Sequence, residues 1–183
     1  MQTTELKNLR LIHPRIGLVG ARAELERNEL AWQVSTGRRI RFPSQRETEA
    51  IILRRAVLSS PEADINDCDA VADADVAAYF PRTLAWLRST ADVLGGELAR
   101  AMFARIAPHG QVYRHIDHGT YYIGRRRYHL VVHSPGGSPM GCDDEKVVMR
   151  EGELWEIDNK KPHDAKNPAD TPRVHLIFDL RLP

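Results

Sequence analysis

Eight histidines occur in the chain, and all but His13 fall between His109 and His175. Imidazole is a common ligand for divalent metals and titrates near neutral pH, so two stretches stand out: "VYRHIDHG" at 112–119 and "NKKPHDAKN" at 159–167. In an extended strand, residues two apart project from one face. His115 and Asp117 would then share a wall, with Val112, Arg114 and Ile116 on the other side. His163, after the short strand "ELWEID" and the turn "NKKP", is positioned to supply a third ligand. Two histidines and one carboxylate leave coordination positions open on one side, as in non-haem Fe(II) oxygenases that admit both substrate and oxygen. An H-x-D triplet alone is more often a strand-end histidine beside a solvated aspartate.

Cations sharpen the reading. Arg173 follows His163 by ten residues and begins the apolar run "RVHLIFDL", where a buried guanidinium is costly without an anion. In "RRRYHLVV", Arg127 and His129 share one strand face, with Tyr128 and Leu130 on the other. Guanidinium binds carboxylate through two parallel hydrogen bonds. A metal site and cationic groups in one cavity therefore suit a small dicarboxylate, which points to 2-oxoglutarate. Trp155 and Tyr122 are candidates for a substrate pocket, although an aromatic in a β structure is more often core. Asn167 completes H-x-x-x-N with His163 and suits a loop-holding role. His175 falls on the Arg173 face and suits a packed, hydrogen-bonded role; His109, His118 and His133 flank turns. The acidic "CDDEK" at 142–146 lacks the alternation, central Gly and terminal Glu of a calcium loop and reads as a hairpin turn.

The elements that must position these groups come in two textures. Before residue 97, "ARAELERNELAW" suggests a short helix and "TEAIILRRAV" a strand, while "SSPEADINDCDAVADAD" reads as a loop. The clearest helix opens at Pro81, aligns Leu84, Leu87, Ala91 and Leu94, and stops at Gly95-Gly96. From residue 97 onward six short strands are predicted, in "LARAMFARI", "GQVYRHID", "RRRYHLVVHS", "EKVVMREG", "ELWEID" and "RVHLIFDL". That spacing predicts a mainly β sandwich or jelly roll behind an α/β lead-in, with 1–96 and 97–183 as parts of a single domain.

Composition narrows the partners. The 26 Lys and Arg balance 25 Asp and Glu, a formal charge of +1, which offers no global field for nucleic acid. Cys68 and Cys142 match no C-x-x-C spacing, as expected for free thiols in a reducing compartment. The N-terminus lacks a leader-like apolar segment and no run of 18 apolar residues occurs, so a cytoplasmic protein without membrane association is expected.

From about residue 98 to 180 the chain resembles the aspartyl/asparaginyl β-hydroxylase family of Fe(II)- and 2-oxoglutarate-dependent dioxygenases. The resemblance rests on "PHGQVYRHIDHG", "RRYHLVV", "EGELWEIDN", "HDAKN" and "RVHLIFD" in order and spacing. It implies a double-stranded β-helix, iron held by His115 and His163, Arg173 on the distal carboxylate of 2-oxoglutarate, and Arg127 with His129 assisting. O2 would be the second cosubstrate, and the substrate an amino acid or an Asp/Asn-type side chain in a peptide or protein. The animal members bind iron through two histidines, whereas this chain supplies Asp117 as a third ligand or as a residue orienting one. A cupin-like binding module without oxygenase activity is the alternative: "HDAKN" matches the end of the second cupin motif, but the H-x-H pair and downstream Glu of the first are absent. A zinc hydrolase on the same ligands would need a general base and predicts no use for 2-oxoglutarate.

Overall fold

The structure is a computed structural model that describes residues 7–183, without the Arg38 side chain. Residues 1–6, part of the segment read as lacking a leader, lie outside the described residues. Two antiparallel sheets face each other, and alternation along three strands explains why. In the strand Arg173–Arg181 (β11), Val174, Leu176, Phe178 and Leu180 pack into one apolar cluster. The alternate residues Arg173, His175 and Ile177 line a cavity on the opposite face. Its neighbours Glu97–Ile106 (β4) and Arg125–His133 (β6) alternate likewise, with Phe103 and Leu130 on the apolar side and Ala104 and His129 on the cavity side. A side-chain period of two thus separates a packing face from a functional face.

The apolar face is covered by helices. The helix Pro81–Leu94 (α3) contributes Leu84, Leu87 and Ala91, and Val19–Arg27 (α1) contributes Leu25. Pro81 opens α3 and Gly95 closes it at φ 71°, its N–H returning to Asp92, a left-handed cap that glycine adopts without a Cβ clash. Buried Glu24 accepts from the Arg82 and Thr83 backbone N–H groups and the Thr83 hydroxyl, placing a negative charge at the positive end of α3. The short helix Gly37–Arg41 (α2) lies between α1 and the next strand.

Among the described residues the larger sheet has seven strands, in the order β1-β9-β6-β11-β4-β2-β3. Leu9–His13 (β1), Thr48–Ala56 (β2) and Val71–Asp73 (β3) come from the lead-in, and Leu154–Ile157 (β9) completes it. The smaller sheet orders Gln111–His115 (β5), His163–Lys166 (β10), Ser138–Cys142 (β7) and Glu145–Met149 (β8) as β5-β10-β7-β8. Between the sheets, Met140, Cys142, Met149, Trp155 and Ala165 form a second apolar cluster. Among the described residues no helix is long and apolar enough to cross a membrane.

Each of the six expected strands is present, but two more carry the site. β7 and β10 come from "SPMGC" and "HDAK", pieces too short and too rich in Gly, Pro and charge to show alternation. The 59–75 stretch, expected to be a loop, contains β3 and a 3-10 turn at Ile65–Asp67. "CDDEK" is the β7–β8 hairpin, with Asp143 at φ 56°.

Candidate metal centre

His115 and His163 stand directly opposite one another on β5 and β10. Their rings are 4.3 Å apart between centroids, so register alone juxtaposes residues far apart in sequence. Each ring donates its Nδ1–H to a backbone carbonyl two residues back, His115 to Tyr113 at 2.7 Å and His163 to Lys161 at 2.9 Å. That fixes the tautomer and makes both Nε2 atoms acceptors, the usual preparation of a metal-binding histidine. Asp117 lies past the end of β5, so strand alternation does not place it as expected. Its backbone N–H instead donates to the Asn159 carbonyl at 3.0 Å, which brings Oδ1 to 3.6 Å from His115 Nε2. One ligand atom from each of His115, Asp117 and His163 lies within 4.8 Å of the others.

The electrostatics suit a cation. Burial raises the Asp117 carboxyl, but Arg127, His163, Asn159 and His115 outweigh it and hold its pKa at about 2. Burial lowers His163 to about 4, despite the opposing pull of Asp117. A carboxylate and two imidazoles, at least one of them neutral, are therefore ready ligands near pH 7.

The cavity continues from this cluster between the sheets, past apolar Met102, Ile106, Val112 and Ile177, to Arg173, His175 and His129. Arg173 is 3% exposed. Its Nε donates to His175 Nε2 at 3.1 Å, where the Ser138 hydroxyl also bonds at 3.0 Å. Arg173 Nη2 lies 3.4 Å from His175 Nδ1, which also faces His129 Nδ1 at 3.3 Å. Burial, followed by nearby guanidinium charge, keeps both histidines far below their ordinary range. Arg173 Nη1 is buried with no hydrogen-bond partner, and burial lowers the group to about 9. An unmatched charged donor facing a cavity is an expensive feature.

Arg127 also lines the cavity, but its guanidinium is committed. Nε and Nη2 donate to Asp179 at 2.8 and 2.9 Å, and Nη1 donates to Asp117. Trp155 packs in the inter-sheet cluster and donates to Glu153 at 2.8 Å. Tyr122 reaches Asn66 and lies beside Arg127; the residues lining the cavity include neither aromatic. Asn167 ties the Ile106, Ala107 and Thr171 carbonyls together. Buried Cys142, its thiol pushed up to about 12 by burial, is inert packing.

Three contributors were missed by sequence reasoning. Gln45, at the end of a 3-10 turn over Pro43–Gln45, places its amide nitrogen 3.1 Å from His115 Nε2. Asn159 donates to Asp117 Oδ2 at 3.0 Å. Asp179 looks from sequence like one polar residue in an apolar strand. Only the β6–β11 register, which sets Asp179 against Arg127, reveals its partner.

A double-stranded β-helix with a His-Asp-His cluster at a cavity that also holds an unmatched buried arginine defines a jelly-roll protein built around a candidate metal centre. Residues 49–183 match the family described as aspartyl/asparaginyl beta-hydroxylase, and the chain belongs to that family. No curated protein matches the chain. Among solved structures, a prolyl-4-hydroxylase from Pseudomonas putida is similar at 18% identity and TM-score 0.53, covering 96% of this chain and 93% of the other. A viral collagen prolyl hydroxylase from Paramecium bursaria Chlorella virus-1 is similar at 10% identity and TM-score 0.55, covering 97% of each chain. Both likenesses concern the fold.

Proposed function

We propose that the chain is an Fe(II)- and 2-oxoglutarate-dependent dioxygenase. It would hydroxylate an unactivated C–H bond of an amino acid, or of an Asp/Asn-type side chain in a peptide or protein. The observation that carries this reading is the unmatched Nη1 of buried Arg173, in the cavity that His115 and His163 also line, with Asp117 clustered against those two histidines. The donor set suits Fe(II), for which two imidazoles and a carboxylate are a recurrent ligand group. The guanidinium suits the far carboxylate of a dicarboxylate.

Charge supports the same pair. Around the cavity the Asp117 and Asp179 carboxylates, both paired with Arg127, offset the Arg127 and Arg173 guanidiniums, and Asp164 on its wall is paired with Arg114, so a dication and a dianion entering together leave the balance of charge unchanged. The viral hydroxylase similar in fold is a complex with 2OG, which supports the choice of dianion. When bound, Fe(II) with 2-oxoglutarate and O2 supplies the oxidising power for hydroxylation, with succinate and CO2 as coproducts. The chain's own residues prepare that chemistry. His115 and His163 present fixed Nε2 lone pairs, and Arg173 anchors the cosubstrate. His175 and Ser138 hold the Arg173 end in place. Apolar Met102, Ile106 and Ile177 exclude water, which strengthens each polar contact inside.

Binding of 2-oxoglutarate to the anaerobic, Mn(II)-loaded protein tests this reading. Arg173→Ala should weaken binding about 100-fold, the loss of one charged, desolvated carboxylate contact. Equal binding by wild type and variant, or none by wild type, would overturn it.

A further inference from the structure

Arg127 is bound on three sides, although a cosubstrate-holding role for it follows from the family resemblance. Its Nε and Nη2 form a two-bond fork with Asp179, the residue directly across the β6–β11 ladder. Asp179 is 2% exposed and accepts a further bond at 3.0 Å from the hydroxyl of fully buried Tyr121. A guanidinium is planar, so once two nitrogens are fixed by the fork, the direction of the third is fixed too. That third nitrogen, Nη1, donates to Asp117 Oδ2.

Asn159 supplies the second constraint. Its side-chain amide donates to the same Oδ2 at 3.0 Å, and its backbone carbonyl accepts the Asp117 N–H at 3.0 Å. Both side-chain donors therefore fall on Oδ2, which lies 4.0 Å from His163 Nε2, while Oδ1 carries neither and lies closer to the histidine pair, 3.6 Å from His115 Nε2. With Oδ2 capped twice, Oδ1 is the Asp117 oxygen left open, and it would be the one offered to a metal held by the two histidines.

We propose that Asp179 is a positioning residue for the metal centre: braced by Tyr121, it orients Arg127, which with Asn159 presents Asp117 as a one-oxygen third ligand. This rests on the metal-site reading above and deepens it. Arg127 then serves the metal ligand in this chain, and anchoring of the cosubstrate falls to Arg173. A buried ion-pair network that merely held β6 to β11 would stabilise the sheet without touching metal affinity, which separates the two roles.

Co(II) is a suitable probe because its visible absorption reports the ligand set and its affinity is measurable by chelator competition, independently of turnover. Asp179→Asn should bind Co(II) roughly 10- to 100-fold more weakly, the usual effect of removing an outer-shell partner of a ligand. Its spectrum should shift toward that of Asp117→Ala. The double variant should bind no more weakly than Asp117→Ala alone, because the brace acts only through Asp117. Arg127→Lys keeps the charge but cannot bridge two carboxylates, and should reproduce the loss if Asp179→Asn fails to fold. Wild-type affinity and spectrum in folded Asp179→Asn or Arg127→Lys, or losses that multiply in the double variant, would overturn the proposal. Failure of the function itself is recognisable separately: the variants would alter Co(II) binding as described, yet the iron-loaded wild type would not turn over 2-oxoglutarate.

Discussion

At the residue scale the governing fact is an arginine in the wrong place for stability. Arg173 is buried with one donor unsatisfied, and buried charges are often replaced by apolar groups of similar volume at no loss. Arg173→Met should therefore leave the metal-free protein unchanged or about 1–2 kcal/mol more stable to urea, and should abolish any thermal stabilisation by 2-oxoglutarate. A destabilised variant would mean that Arg173 is structural. Arg173 was legible from sequence because a cation heading an apolar strand contradicts its surroundings. Asp179 contradicts its strand in the same way, yet its meaning depends on which residue lies across the ladder, and one strand's sequence does not contain that information.

At the element scale, the segment after Asp117 is pressed against the 64–67 turn. Gly119 has φ 121°, and a Cβ there would collide with the Asn66 carbonyl; Thr120 N–H donates to Asp67 at 2.7 Å. Gly119→Ala should cost about 1–3 kcal/mol by urea denaturation and lower Co(II) affinity with it, because Asp117 is two residues away. Leu87→Ala offers a contrast. Fully buried on the helix side of the large sheet, it should cost about 2–5 kcal/mol and leave Co(II) affinity intact. Helix α3 was legible because a proline start, a glycine stop and an apolar stripe all agree. β10 was not: four residues that include a histidine, two charges and an alanine follow no period. His163 was found by its chemistry and not by its element.

At the scale of the whole molecule, the mainly β class was legible from short, punctuated strands. The lead-in is woven into the larger sheet, with β2 between β4 and β3 and β1 at the far edge, pairings that no local pattern reveals. Burial of the histidines between the sheets also sets the response to acid. His129 and His175 lie well below their ordinary value of 6.5 in the folded protein, so the unfolded chain takes up their protons first. The stability they allow is complete above about pH 6.5 and declines as pH falls below it, by at most about 1.4 kcal/mol per pH unit for each proton. His163, held at about 4, adds to the decline in the metal-free protein. Urea melts between pH 7.5 and 5 should show this slope, and His175→Gln should flatten it; a stability independent of pH over that range would contradict the buried, neutral assignment.

The central claim is that the cavity joins a metal to 2-oxoglutarate for oxidative chemistry. Incubating the iron-loaded protein with labelled 2-oxoglutarate, with and without oxygen, tests it most directly. The account predicts labelled succinate in air, none without oxygen, and far less in air from Arg173→Ala at a 2-oxoglutarate concentration near the wild-type Kd. Absence of succinate in air from the iron-loaded wild type, tested with candidate amino acids and peptides, would contradict it.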